Sequence, residues 1–144
     1  MDEKTQKLLA IVSEKIIDAK REVSIPNHDN LEAFNQVIIR NPGHIIFYNN
    51  LYVKIKEVRL NAAHKLEMLY AKMYCEYKMS GDKMNNGVVE NMIYNLPEYQ
   101  DQKRIVIRLE SLEDALKGIL NGFRAQLDAL QTICNNLRAE RRVI

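Results

Sequence analysis

Three observations predict an all-α fold. The 144 residues include only 5 Gly and 3 Pro. So few turn residues cannot separate many short strands, which excludes an all-β sandwich or barrel. Apolar residues recur at spacings of three and four over long stretches, which is the period of one helix face. Six of the breakers (Pro26, Pro42, Gly43, Gly81, Gly87 and Pro97) fall between those stretches. Hydrophobic residues at 47% and charged residues at 28% exclude a wholly disordered chain. The length fits one domain, residues 1–144. The expected core is a helical hairpin of two long helices with coiled-coil-like packing, preceded by two shorter N-terminal helices.

The first helix is predicted over residues 4–23. Leu8, Val12, Ile16, Ala19 and Val23 share one of its faces, and Ser24 to His28 ends it. A short helix over 29–40 follows, with Asp29 as N-cap and Glu32 completing a capping-box variant. Asn41-Pro42-Gly43 is expected to stop it. A long helix over 44–80 carries the stripe Leu51, Ile55, Val58, Ala62, Leu66, Leu69, Met73 and Tyr77. Its positions repeat at eleven, which suits a straight or slightly right-handed helix. Ser80 to Gly87 reads as a loop, and Val88 to Asn95 as one or two helical turns. Pro97 fits the first position of a last helix over 97–141, with Glu98 and Asp101 matching its dipole. That helix bears a seam of Leu109, Leu112, Leu116, Ile119, Phe123, Leu130, Ile133 and Leu137, interrupted at Gln126. The seam is either an internal core or an oligomer interface. Two helices this long leave apolar stripes for a partner chain to cover, so a homo-oligomer is expected. Gly118 and Gly122 inside the last helix suit a close helix contact or a bend.

The net charge of +2 implies no nucleic-acid binding from bulk electrostatics, so any polyanion site must be a local patch. Cys75 and Cys134 lie in helical patterns and read as buried free thiols of a reduced compartment. The acidic N-terminus has no signal-peptide pattern, and no apolar run approaches a membrane span. A cytoplasmic protein without membrane attachment is expected, in the host cell's cytoplasm if the chain is phage-encoded. His28, His44 and His64 show no metal-ligand spacing, and no nucleotide-binding or hydrolase motif occurs. The expectation is a non-enzyme with no metal and no cofactor.

The leading basic candidate is the polar side of the long helix, with Lys54, Lys56, Arg59, Lys65, Lys72 and Lys78 interleaved with Tyr70, Tyr74 and Tyr77. Cations beside aromatic rings suit single-stranded nucleic acid, because phosphates need cations and unpaired bases stack on rings. The alternative is an ordinary solvated face whose tyrosines pack inward. Two smaller basic groups are Lys103, Arg104 and Arg108, and Arg138, Arg141 and Arg142. The former suit pairing with nearby acids, and the latter suit a helix C-terminus.

The segment Leu69-Tyr70-Ala71-Lys72-Met73-Tyr74-Cys75-Glu76-Tyr77-Lys78-Met79-Ser80-Gly81 resembles a motif of phage recombination mediators of the UvsY type. Leu69, Ala71 and Lys72 match its first part, and Glu76, Tyr77, Ser80 and Gly81 its second. The downstream order is also similar: a polar loop, a Pro/Glu/Tyr turn at Leu96 to Tyr99, and a long helix with Arg138 near its end. The chain has Tyr70 where the family motif carries Lys, so Lys72 is the motif cation that carries over. The resemblance implies a ring-forming homo-oligomer that binds single-stranded DNA. It also implies an accessory that loosens a single-strand-binding protein and helps load a RecA-like recombinase. A ring would multiply a weak patch through effective concentration. The rival reading is a helical structural, assembly or adaptor protein, such as a virion component, that acts only through protein contacts.

Overall fold

The computed structural model describes residues 1–27, 29–80 and 83–143. Among them are four helices and no strand: α1 (Glu3–Glu22), α2 (Leu31–Met79), α3 (Asn86–Tyr94) and α4 (Pro97–Val143). The two long helices, α2 and α4, pack together. Among the described residues, no helix is long and apolar enough to cross a membrane. His28 in the first predicted break, and Gly81 and Asp82 in the predicted loop and motif, lie outside the described residues.

Local chemistry sets most helix ends. Thr5 N–H donates to Asp2 Oδ1 at 2.6 Å and caps α1. Gly87 N–H donates to Asn85 Oδ1 at 3.1 Å at the start of α3. Pro97 opens α4 as its spacing predicts. At the start of α2 the cap differs from expectation. Ala33 N–H donates to the side chain of Asn30, not Asp29, at 3.2 Å.

The larger correction concerns residues 29–40 and 44–80. They are not two helices, because α2 runs unbroken through Pro42 and Gly43. An internal proline removes one backbone bond and costs ~3 kcal/mol in isolation. Here the residues on either side are held by tertiary contacts. Phe34 and Tyr48 are buried, and Asn41 Nδ2 donates to Phe123 O at 2.9 Å and to Gln126 Oε1 at 2.7 Å. Pro42 itself points to solvent.

The chain divides into two compact units, Ile55–Ser111 and Asp2–Lys54 with Leu112–Ile144. They are called central and terminal here for their places in the sequence. In the terminal unit, α1 contributes buried Leu9, Val12 and Ala19. Phe123 of α4 is fully buried, with the rings of His44 and Tyr48 stacked at 5.0 and 5.3 Å. Gln126, the interruption in the predicted seam, is a buried connector. Its Oε1 accepts from Asn41, and its Nε2 donates to Glu22 O at 3.0 Å and Ser24 O at 2.9 Å, tying down the end of α1. Asn41 Oδ1 has no partner among the described residues. Tyr48 Oη donates to Lys15 O at 3.0 Å. Burial first, then the carboxylates of Glu22 and Asp18, push the Tyr48 phenol up to about 12.

Of the two readings of the α4 seam, the internal core accounts for most of its residues. Leu109, Leu116, Ile119, Phe123 and Leu130 are buried inside the single chain. Side chains already removed from solvent have no surface to offer a second copy. Leu112, Ile133 and Leu137 are half-buried. Gly122 fits the predicted close contact, since a Cβ there would sit 3.1 Å from Val23 Cγ1, whereas Gly118 faces open space. The expected burial of both thiols is not met. Cys75 is exposed and Cys134 half-buried, and both are free.

Candidate nucleic-acid interface

The predicted site lies mainly in the central unit. There the apolar stripe of α2 faces inward as its period requires. Leu66, Leu69, Tyr70, Met73, Tyr74 and Tyr77 pack on a small core of Val89, Ile93 and Tyr99. Val89 and Ile93 are four apart and present one face of α3. Asn95 caps that helix, and Leu96-Pro97 starts α4, which delivers Tyr99 to the same core.

This packing gathers four tyrosines. Tyr70 and Tyr74 stack at 6.1 Å and 21°. Tyr94 lies 6.1 Å from Tyr70 and 5.5 Å from Tyr99. Tyr99 approaches Tyr70 edge-on at 6.4 Å. Tyr74 Oη and Asn86 Oδ1 are hydrogen-bonded at 3.0 Å. Lys78 Nζ donates to Met84 O at 3.0 Å and stands 5.8 Å from the centre of the Tyr74 ring, within cation–π range. Desolvation, then the Glu90 carboxylate, raises the Tyr70 phenol above its ordinary value. Desolvation, then Tyr94, does the same for Tyr99.

The predicted residues therefore separate into two groups. Lys65 and Lys72 are exposed and share a line along α2. Positions two apart on a helix lie about 200° around its axis, so Lys72 faces away from both Tyr70 and Tyr74. Lys78 is the predicted cation that the structure brings to the rings. Lys72 also pairs with Glu76 at 4.0 Å, a solvent-exposed and weak ion pair. Lys56 and Arg59 are already engaged with other groups. Lys54 belongs to the terminal unit.

Charge in the central unit is nearly balanced, nine Lys and Arg against eight Asp and Glu. Of the smaller basic groups, Arg104 pairs with Asp101 at 3.1 Å, within the first turns of α4. Arg138, Arg141 and Arg142 are exposed near its end.

Sequence spacing does not mark Tyr94, Tyr99 or Glu90 as site residues. The first two straddle the Leu96-Pro97 turn. Only the way α3 folds back shows that they meet Tyr70. Among the described residues, no group of three His, Cys, Asp or Glu is placed to hold a metal ion. The chain matches no family model, no curated protein and no solved structure.

Proposed function

We propose that this protein is a non-enzymatic accessory factor that binds single-stranded DNA during homologous recombination or repair. In this reading it works in the cytoplasm as a homo-oligomer, a ring built through coiled-coil-like helix contacts. It loosens a single-strand-binding protein and helps load a RecA-like recombinase. The carrying observation is the tyrosine cluster with Lys78 over Tyr74, on the same helix as the exposed lysines Lys65 and Lys72. Rings offer stacking to unpaired bases, and lysines offer charge to phosphates. The resemblance of residues 69–81 to the UvsY-type motif supplies the recombination context.

The test is fluorescence anisotropy of a labelled single-stranded oligonucleotide across a salt series. Binding should weaken with salt. Lys65→Glu with Lys72→Glu should weaken it at least tenfold, and Tyr74→Ala should weaken it without changing the salt slope. Absence of salt-sensitive binding at low salt overturns the reading.

The second reading, an assembly or adaptor protein acting through protein contacts alone, is favoured by a different observation. Between Glu32 and Lys54 the outward face of α2 is poor in charge, with Arg40 beside an exposed Ile39 (72%) and Ile46 (65%). It predicts oligomers with no DNA affinity.

A further inference from the structure

Within the terminal unit, α2 is apolar on two opposite sides. Phe34, Asn41 and Tyr48 line its inward side at a spacing of seven and are buried. Ile39, Ile46 and Val53 follow the same spacing and are 72%, 65% and 54% exposed. A shift of five residues turns about 140° around a helix, so this second column faces away from the core. Gly43 and Asn50 fall between its members. The resulting 4-3-4-3 row, Ile39, Gly43, Ile46, Asn50, Val53, is the spacing of a coiled-coil seam, and every member is exposed.

The outward side of α4 in the same unit is different. It presents Asp114, Lys117, Arg124 and Asp128, and no large apolar residue is exposed there between Leu112 and Arg142. A solvated helix face carries charge in that way. Along α2, the residues between Glu32 and Lys54 include one permanently charged side chain, Arg40. Depletion of charge around an apolar row marks a surface that contacts protein.

We infer that this row is where two copies of the chain pair, α2 against α2. This rests on the homo-oligomer in the proposed function and not on its nucleic acid; a two-fold contact closes at two copies, so it is one interface of such an assembly and not by itself the ring. Three features select a second copy as the occupant. An uncharged row neither repels its own image nor offers grip to an oppositely charged partner. A helix of heptad period is matched by another of the same period, and this chain supplies one with β-branched side chains at the seam. Asn50 carries an amide, which both donates and accepts and so complements itself across a two-fold axis. A lone Asn in such a seam fixes register. Gly43, with nothing within 4 Å of where a Cβ would stand, lets the backbones approach. The contact thus moves from the α4 seam, which the fold buries, to a face that the fold leaves open.

The test is the mass of the full chain by sedimentation equilibrium, without DNA. The wild type should associate as concentration rises. Ile39→Lys with Ile46→Lys should raise the concentration needed at least tenfold, with helicity by circular dichroism unchanged because both positions are exposed. Ile46→Cys, in a Cys75→Ser and Cys134→Ser background, should form a disulfide-linked dimer under mild oxidation, since in the parallel two-fold pair that the Asn50 contact requires each seam residue meets its own copy. A wild type that stays monomeric overturns the pairing and leaves the row for a different protein. An unchanged mass in the double lysine variant, or no cross-link at Ile46→Cys, also overturns it. Oligonucleotide binding, read separately, decides the nucleic-acid reading without bearing on this one.

Discussion

The two units solve the same packing problem with different chemistry. The terminal unit places directed polar bonds inside its core. Asn41 and Gln126 are buried and bonded to each other, and Gln126 holds two carbonyls at the end of α1. The central unit relies on packed tyrosine rings, one pair stacked and the others tilted or edge-on, and its hydrogen bonds at Tyr74 and Lys78 are exposed. A buried amide bonds well in one arrangement and is costly in any other, so it specifies geometry. Packed rings accept a range of angles and leave faces and edges at the surface, as with the tilted Tyr94. The difference is one of degree, since in the central unit Gln102 Nε2 donates to Ala62 O at 2.9 Å as a half-buried tie of the same kind.

That contrast predicts where substitutions do most damage. Phe123→Ala removes the ring that packs on both His44 and Tyr48 and should cost ~4 kcal/mol, read as a lower midpoint in urea unfolding. Gln126→Leu keeps the volume but leaves the Glu22 and Ser24 carbonyls without their donor, and should cost ~3 kcal/mol. If it cost nothing, the polar core would not be what orders the terminal unit. In the central unit, Tyr74→Phe removes only an exposed bond to Asn86 and should cost ~0.5 kcal/mol or less.

Tyr48 adds a pH signature to the terminal unit. Its phenol titrates near 12 when folded, against 10.0 for an ordinary tyrosine. The raised folded value means that its contribution is complete below pH 10 and is lost as pH rises towards 12. The slope there should reach about 1.4 kcal/mol per pH unit. Tyr48→Phe should remove its share of that slope, leaving what Tyr70 and Tyr99 add, and cost ~1 kcal/mol at neutral pH through the lost bond to Lys15 O. Absorbance at alkaline pH would show one phenol fewer in the latest-titrating class.

The smallest effects separate the two glycines of α4. Gly118→Ala enters open space and should stabilise by about 1 kcal/mol or less, from helix propensity alone. Gly122→Ala meets Val23 Cγ1 at 3.1 Å and should gain nothing, or lose stability. Thermal midpoints of the two variants, measured side by side, check the difference.

Much of this was legible because it is local. The inward stripe of α2 obeys its period, with Leu51, Ile55 and Ala62 buried and Val58, Leu66, Leu69, Met73 and Tyr77 half-buried. The start of α4 at Pro97 follows from the missing N–H of proline. Even the separation of Lys72 from Tyr74 is contained in their spacing of two, which places them on different sides of any helix.

Chain order alone does not disclose contacts between distant residues. Gln126 reads as a flaw in an apolar seam until its bond to Glu22 O, across a separation of 104 residues, is seen. Pro42 reads as a stop until Asn41 is found anchored to Phe123, 82 residues away. The α4 seam and the outer row of α2 both carry heptad spacing, and periodicity cannot rank them. Sequence therefore sets which residues become helical and which sides of them are apolar, because those depend on neighbours within a turn. Which apolar side is covered, and which is left exposed, depends on how helices distant in sequence meet. Here that meeting buries the seam of α4 and exposes Ile39, Ile46 and Val53.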